Sequence, residues 1–325
     1  MQHMDLAVIE QALAWTREGK TVWLCTVLSS YGSSPREPGS WLVADKDGAY
    51  VGSLSGGCVE EDFLARLRDR QFQDRVARVR YGAPSGPGDP QLRLPCGGVL
   101  EVLVERLPAD SETLAHLVCL QDALQGSAPL ARRVSTTDGS WKIAEDAGLG
   151  ARVENLSEES VLLRIGPVAR LIIAGISPVS VACADFARSL GFEVLVCDPR
   201  EEETARFAVE GATLIPMLPS LYITPQTCHR ATAVVALTHD PRIDDLALIE
   251  AVRTDAFYIG VMGSARTSKA RAERLLRSGG LNQTDIDRIH MPIGLALGSK
   301  TPAEIALAVM ADIVRIRRGK TRDQL

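Results

Sequence analysis

Four short runs rich in Val, Ile and Leu constrain the fold of this chain more than any other feature. They occupy residues 170–174, 193–197, 232–237 and 257–261, and helical stretches separate them. Continuous apolar strands that alternate with helices predict a parallel sheet with helices on both faces. We therefore predict an α/β protein whose C-terminal domain, residues 167–325, has a Rossmann-like parallel sheet.

The first half of the chain has a less regular pattern. A helix is predicted over 5–18, and strands at 22–28, 40–44, 50–54 and 98–107. The section from 108 to 166 holds one predicted helix and one hairpin, which we interpret as an extension of the same domain. The sequence thus predicts an N-terminal α/β domain with a mixed sheet over residues 1–166.

Composition excludes several classes of protein. The 36 Lys and Arg against 41 Asp and Glu give a formal charge of −5, with the basic residues scattered, so neither nucleic acid nor an anionic membrane is an expected partner. No apolar run reaches the roughly 18 residues that span a bilayer, and the first residues lack a secretory signal. Seven cysteines without a CxxC motif suit a reducing compartment. We expect a cytoplasmic protein.

The first apolar run of the C-terminal half leads into a modified dinucleotide-binding turn. Gly175 occupies the first position of a G-x-G-x-x-G pattern, but Ser177 replaces the second glycine, and Asp198 follows about 20 residues on, where a ribose would bind. Ser177 obstructs a pyrophosphate, and Pro178 lacks an N–H, although Ser177 can cap the helix and leave room for one phosphate. We predict no use of NAD(P) as a redox partner. A purely structural Rossmann-like layer is an alternative.

Two further strand ends carry polar residues. His239 and Asp240 follow one apolar strand, and Gly263, Ser264 and Arg266 follow the next. In open α/β sheets, ligands bind at the carboxyl ends of the strands. These five residues are therefore candidates for binding a phosphate or another part of a ligand.

Two cysteines of the N-terminal half lie in glycine-rich turns. A helix N-terminus favours the thiolate form of cysteine, which is both the nucleophile and the soft metal ligand. Cys58 and Cys96 are accordingly the predicted catalytic and metal-binding residues. An anionic cofactor is predicted to bind next to these thiols, through backbone N–H groups and one arginine side chain. The predicted cofactor-binding residues are Arg36, Ser55, Gly56, Gly57 and Gly97.

The motifs that hold these residues resemble a known family along nearly the whole chain. The N-terminal GSSPREPG, GSLSGGCVEED and LPCGG, and the C-terminal ALTHDPRIDDLAL, YIGVMGSARTSKARAERL and MPIGLALGSKTPAEIALAVMADIV, are similar to the XdhC/CoxI family of accessory factors for xanthine dehydrogenase and CO dehydrogenase. The chain departs from the family's Gly-Ala-Gly-His-Val turn at residues 175–179.

The resemblance implies a maturation factor and not an enzyme. Such a factor transiently binds the molybdenum cofactor (molybdopterin), assists its sulfuration with sulfur from a cysteine desulfurase, and delivers it to a xanthine-dehydrogenase-like apoenzyme. A homodimer is a further expectation from the apolar helix predicted at 302–317. Two alternatives stay open at this stage: an NAD(P)-dependent oxidoreductase with His239 as acid/base, and a scaffold that only docks the desulfurase to its target.

Overall fold

A computed structural model describes residues 4–31, 36–82, 94, 97–126, 129–146 and 151–324. Contacts within the chain divide it into two compact units, residues 4–167 and residues 168–325. No helix among the described residues is long and apolar enough to cross a membrane. The predicted fold class, α/β with a Rossmann-like C-terminal domain, is confirmed.

The described strands of the first unit form two antiparallel sheets, with strand orders β3-β2-β1-β5-β4 and β7-β6-β9-β8. The strands of the first sheet are β1 (Val22–Tyr31), β2 (Trp41–Asp45), β3 (Tyr50–Gly52), β4 (Val76–Tyr81) and β5 (Val99–Leu107). Those of the second are β6 (Leu130–Ser135), β7 (Trp141–Glu145), β8 (Val153–Ser157) and β9 (Ser160–Ile165). The helices are α1 (Met4–Arg17), α2 (Cys58–Arg68) and α3 (Ser111–Gln125).

The pairing in the larger sheet corrects one detail of the sequence prediction. We expected a mixed sheet, but every described pairing is antiparallel. The connections from β1 to β2 and from β2 to β3 are shorter than the dozen or more residues that a parallel crossover needs, so these two pairs had to be antiparallel. The connections that lead to β5 are long enough for such a crossover, so the direction of its pairings with β1 and β4 was open, and both are antiparallel.

Burial on both faces holds the larger sheet in place. Trp23, Cys25 and Val27 of β1 join a core with Phe63 of α2, and the residues that alternate with them are buried as well. Helix α1 contacts β1, β2, β3 and α3. An ion pair connects the two sheets, because Arg132 of β6 donates Nη1 and Nη2 to the two carboxylate oxygens of Glu105 in β5, at 2.8 and 2.6 Å.

The second unit contains a parallel sheet whose described strands follow the order β12-β11-β10-β13-β14-β15. Its strands are β10 (Arg170–Ala174), β11 (Glu193–Cys197), β12 (Ala212–Ile215), β13 (Thr232–Ala236), β14 (Tyr258–Val261) and β15 (Ile289–His290). Its helices are α4 (Pro178–Ser189), α5 (Glu201–Arg206), α6 (Pro219–Tyr222), α7 (Pro241–Ala251), α8 (Ala265–Ser278), α9 (Gln283–Asp287) and α10 (Pro302–Arg317).

Two apolar cores cover the faces of this sheet. One packs α4 and α10 against strand residues such as Leu171 and Val196, and the other packs α7 and α8 against strand residues such as Ile172 and Val234. Successive side chains of each strand therefore enter opposite cores, as the continuous apolar runs predict. The strand order reverses between β10 and β13, which places the turns after these two strands at the usual ligand-binding edge.

Candidate functional site

Cys58 lies at the start of α2, as the sequence predicts. It is the first residue of that helix and is half-buried, packed against the edge of the core beneath the larger sheet. The preceding turn needs Gly56, whose φ is +89°, because residues with a Cβ rarely adopt that conformation. Next to it, a Cβ on Gly57 would meet no atom within 4 Å. The thiol therefore follows a glycine turn that has free space on its outer side at Gly57.

The carboxylate of Glu60 fills that turn from inside. Its Oε1 accepts the N–H groups of Leu54, Ser55 and Gly56 at 2.7, 2.9 and 3.0 Å, and its Oε2 accepts that of Gly57 at 2.9 Å. The hydroxyls of Ser53 and Ser55 donate to it as well, at 2.7 and 2.8 Å.

These donors determine the charge of the Glu60 side chain, which is only 4% exposed. Burial alone would raise its pKa, but the N–H and hydroxyl donors outweigh burial and lower the pKa to about 2. Glu60 is thus a resident anion beside Cys58.

Glu60 changes how the predicted binding residues of this turn can act. The N–H groups of Ser55, Gly56 and Gly57 already have an acceptor, so a ligand anion would have to displace the carboxylate. Their cofactor-binding role stays a prediction. Glu60 was not among the residues predicted to act at this turn. Its position three residues after Gly57 is the spacing of a capping box, and this was the available signal.

The other predicted residues of the first unit are less informative. Cys96, the second predicted thiol, lies outside the described residues. Gly97 is described: its N–H donates to the carbonyl of Leu94 at 2.8 Å, and its φ is +66°. Arg36 is half-buried. Among the described residues, no cluster of three or more His, Cys, Asp and Glu side chains could hold a metal ion. A shared site of Cys58 and Cys96 remains a prediction.

The modified glycine turn is closed by its own side chains. Gly175 has a φ of +83°, and a Cβ there would lie 1.9 Å from Cγ2 of Thr238, so only glycine fits. Ser177 caps α4, since its Oγ accepts the N–H of Ser180 at 3.2 Å, and Pro178 is the first residue of the helix. The hydroxyl of Ser180 donates to the carbonyl of Gly175 at 2.7 Å. The capping role expected of Ser177 is thus seen in the structure.

The carboxylate of Asp198 is hydrogen-bonded to protein groups, so it is not available to bind a ribose. It is fully buried, and it accepts the N–H of Ile176 at 2.6 Å and the N–H of Arg200 at 2.8 Å. The guanidinium of Arg200 adds two bonds, from Nε at 2.9 Å and from Nη2 at 2.6 Å. Burial alone would raise the pKa of Asp198, but these donors lower it. With four donors on two oxygens, the carboxylate has little capacity left for a ligand.

The end of β13 projects His239 outward in an unusual backbone conformation. His239 is exposed and has a φ of +67°, which is uncommon outside glycine, although histidine, asparagine and aspartate adopt it more often than other residues. The hydroxyl of Thr238 accepts the N–H of Asp240 at 3.0 Å and so closes the turn around the histidine. Asp240 itself caps α7, and its bonds from Arg242 lower its pKa to about 2. Asp240 is therefore engaged within its own turn.

The end of β14 carries the remaining predicted residues. Ser264 caps α8 by accepting the N–H of Thr267 at 3.2 Å. Arg266 is exposed at the start of the same helix. Gly263 is tightly packed, because a Cβ there would lie 2.7 Å from Oγ1 of Thr267. The phosphate-binding role of Ser264 and Arg266 stays a prediction.

A buried ion network, which sequence analysis missed, fixes these two strand ends. Asp244 accepts the hydroxyl of Thr238 at 2.7 Å, and Arg271 donates to the carbonyl of Met262 at 2.9 Å. Arg271 also contacts Asp244 at 3.4 Å and Asp245 at 2.9 Å. Charged residues at helical spacing usually face solvent, so their pattern gave no signal of a buried network.

A pocket of about 390 Å³ opens at this edge of the sheet. It is lined by His239, Met262 and Gly263, by residues 293 and 295–299, and by Ile305 and Ala308 of α10. Of the predicted binding residues in the second unit, all of which lie among the described residues, it brings together His239 and Gly263. The pocket does not include Gly175, Ser177, Asp198, Asp240, Ser264 or Arg266. The wall formed by residues 293–299 was missed by sequence analysis.

Comparison with known proteins identifies both halves of the chain. Residues 171–313 match a family model described as the XdhC Rossmann domain, and residues 15–82 match one described as the XdhC and CoxI family. A protein of Bacillus subtilis named as a probable xanthine dehydrogenase subunit is 27% identical over 91% of this chain and 93% of its own length. "Molybdenum cofactor insertion chaperone PaoD" of Escherichia coli is 27% identical over 97% of this chain and 90% of its own length.

A solved structure shares the fold over the full chain. It is described as a xanthine dehydrogenase from Bacillus halodurans, with a TM-score of 0.72, 24% identity, and coverage of 100% of this chain and 98% of the other. At this identity the likeness establishes the fold alone. The two family models fall on the two halves in the order that the sequence motifs predict. The chain therefore belongs to the XdhC and CoxI family.

Proposed function

We propose that the protein is a maturation factor that binds the molybdenum cofactor, assists its sulfuration and delivers it to a xanthine-dehydrogenase-like hydroxylase. The observation that carries the proposal is the similarity, over nearly the full length of both chains, to a protein named as a molybdenum cofactor insertion chaperone. In this proposal the cofactor is cargo, and the protein itself is not an enzyme.

The residues of the first unit fit the metal end of such a cargo. Cys58 offers a half-exposed thiol at a helix start, and thiolates are soft ligands suited to a metal that already has sulfur ligands. In the proposed role, Cys58 holds the metal end or carries sulfur as a persulfide received from a cysteine desulfurase. Because Glu60 already accepts the adjacent N–H groups, we place the cargo's phosphate elsewhere. The candidate phosphate-binding residues are Arg36, Arg266 and Gly97.

The alternative function, an NAD(P)-dependent oxidoreductase, receives little support from the geometry. Asp198 would have to give up one of four protein donors to bind a ribose, and Ser177 and Pro178 occupy the pyrophosphate position. We therefore keep the maturation factor as the single proposed function.

Metal and pterin analysis of the purified protein tests cargo binding. The protein is produced in a molybdenum-replete host and, as a blank, in a host starved of molybdenum. We expect molybdenum and pterin fluorescence in the first preparation, a clear loss in Cys58→Ser, and no loss in Cys119→Ser. Cys119 is the matched control, because it too is half-buried at a helix surface. Absence of both molybdenum and pterin from the wild type would contradict the proposal.

Activation of an apo-hydroxylase tests delivery. We expect the loaded factor to restore hydroxylase activity and then to separate from the mature enzyme on size exclusion. Activation should require the desulfurase when the cofactor is supplied without its sulfido ligand. If free cofactor activates the apoenzyme as well as the loaded factor does, delivery is not the function.

The proposal includes a homodimer. It is supported by an apolar groove of about 540 Å³ between α4 and α10, where Leu190 and Leu307 are 48% and 52% exposed. Sedimentation equilibrium should give a dimer for the wild type and a monomer for Leu307→Glu. Leu246→Glu, at a leucine of α7 that is 44% exposed and lies outside the groove, should stay dimeric. A monomeric wild type would remove the homodimer from the proposal.

A further inference from the structure

We propose that the pocket between His239, Gly263 and the segment 293–299 binds the uncharged pterin portion of the cargo, which consists of two fused nitrogen-containing rings. We call it the His239 pocket. This inference rests on the proposed function, because the molybdenum cofactor supplies such a ring. It places the ring in the second unit, and it gives the segment 293–299, which follows β15, the role of forming one wall of the binding site.

The wall of the pocket is an ordered part of the fold. The N–H of Ile293 donates to the carbonyl of Val261 at 3.1 Å, and that of Leu295 donates to the carbonyl of Ala308 at 3.1 Å. Between them, Gly294 packs so closely on α10 that a Cβ would lie 3.0 Å from backbone atoms of Ala308. The segment is thus held against both β14 and α10, and the pocket is preformed.

The chemistry of the lining suits an uncharged ring better than a phosphate. No Asp, Glu, Lys or Arg is among the described residues that line the pocket, and its side walls come mainly from Met262, Leu295, Leu297 and Ile305. A phosphate or an oxometal group buried there would lack a cation to balance its charge. Polar contacts come from the imidazole of His239 and from Ser299 at the rim. Apolar walls with a few polar groups are typical of pockets for aromatic heterocycles.

The size of the pocket limits which ligands can bind there. Ligand pockets commonly measure about 300–1,000 Å³, and this one is near the lower limit at about 390 Å³. A bicyclic ring with its linking group fits that space, whereas a complete dinucleotide needs a longer cleft. Leu297 is 57% exposed at the rim, so a ring covering it would remove apolar surface from water.

The backbone of His239 supplies an independent argument. Its left-handed conformation costs free energy in a residue with a Cβ, and such strain concentrates at ligand-binding positions. The bonds from Thr238 to Asp244 and from Asp240 to Thr238 hold the turn in this state. The result is an imidazole presented at the pocket mouth next to Gly263, where it can hydrogen-bond to or stack on a heterocycle.

Fluorescence titration with 6-hydroxymethylpterin tests the ring site directly. We expect the wild type to quench the fluorescence of the pterin saturably, and Leu297→Ala to bind the pterin at least fivefold more weakly. His239→Asn should also bind it more weakly; asparagine is chosen because it tolerates the same backbone conformation. Leu221→Ala is the matched control, because Leu221 is 69% exposed on α6 outside the pocket and should leave binding unchanged. Wild-type binding in both Leu297→Ala and His239→Asn, or tighter binding of adenosine than of the pterin, would overturn the inference.

Cofactor content separates this inference from the proposed function. If the wild type carries molybdenum and pterin, and Leu297→Ala and His239→Asn carry them equally, the cargo function stands and the pocket assignment is wrong. If the wild type carries neither, but the pterin still binds and responds to both substitutions, the pocket assignment stands and the cargo function is wrong. Circular dichroism of each variant checks folding, and Leu297→Ala changes only an exposed side chain.

Discussion

The backbone N–H of Ile176 donates to Oδ2 of Asp198 at 2.6 Å, so the acid after β11 is bound to the turn after β10. In the dinucleotide-binding layout, the corresponding acid is available for a ribose hydroxyl. Here the Ile176 bond and three bonds from Arg200 engage both carboxylate oxygens. Asp198 therefore stabilises the turn and does not present a free acceptor to a nucleotide.

We expect calorimetric titration with NAD, NADP and their reduced forms to show no micromolar binding. A lost charge-assisted hydrogen bond costs about 1.5–3 kcal/mol, or about ten- to a hundredfold in affinity. The turn after β10 lacks more than one of the hydrogen bonds that a dinucleotide would need. Ser177→Gly is the informative variant, because it opens the pyrophosphate space but leaves Pro178 and Asp198 unchanged, so it should not restore binding. Micromolar binding by the wild type with hydride transfer to a carbonyl substrate would instead favour the oxidoreductase.

The features of the second unit that could be predicted are those that the sequence encodes locally. Continuous apolar runs, such as 170–174 and 232–237, indicate buried parallel strands by themselves. The position of His239 and Gly263 at one edge then follows, because the carboxyl ends of parallel strands lie together. The segment 293–299 could not be placed in the same way, because only its long-range packing on α10 brings it to that edge.

The features that escaped prediction depend on partners distant in sequence or on side-chain direction. Arg271 binds Asp245 across 26 positions, and charged helix residues normally face water. The direction of β5 in the larger sheet depended on its pairing with β1, in which the paired residues lie roughly 70 to 85 positions apart. The turn before Cys58 was predicted correctly as a turn, but the direction of the Glu60 side chain decides whether its N–H groups are available.

We expect Glu60→Gln to lower the free energy of unfolding of the first unit by about 2–4 kcal/mol. The amide keeps one oxygen acceptor but directs an NH₂ group at N–H donors of the turn, which leaves buried donors unpaired. All four tryptophans lie within residues 15–141, so urea unfolding followed by tryptophan fluorescence reports on this unit.

Glu61→Gln is the matched control for Glu60, because it removes the same charge from an exposed neighbour on the same helix turn. Its free energy of unfolding should stay within about 0.5 kcal/mol of the wild type. Equal stabilities of the two variants would mean that the hydrogen bonds to Glu60 contribute nothing to folding.

Arg132 and Glu105 should behave as a coupled buried pair. Arg132→Met leaves an unpaired buried carboxylate, and we expect a loss of about 3–5 kcal/mol in the same fluorescence assay. Adding Glu105→Met replaces both charges by apolar groups and should recover much of that loss, since a buried ion pair and a well-packed apolar pair often have similar stability. A double variant as unstable as the sum of the single changes would show that the two residues act independently.

The last prediction concerns the response of the first unit to acid. His116 of α3 is buried and stacks on Trp141 with ring centroids 3.9 Å apart, and neither imidazole nitrogen has a hydrogen-bond partner among the described residues. Burial, with a smaller effect of Arg132, lowers the pKa of His116 to about 2. Since the unfolded chain binds this proton near pH 6.5 and the folded chain does not, stability is complete above that pH and falls below it by about 1.4 kcal/mol per pH unit.

We therefore expect His116→Leu to remove part of the acid sensitivity of the first unit. The difference in unfolding free energy between the variant and the wild type should be constant above pH 7 and should shift in favour of the variant by about 2–3 kcal/mol between pH 6.5 and pH 4.5. His229→Leu is the matched control, because burial also lowers the pKa of His229, to about 4, but in the second unit, which has no tryptophan. Parallel pH curves for His116→Leu and the wild type would mean that the imidazole gains a proton in the folded state, and that the space around it admits water or another acceptor.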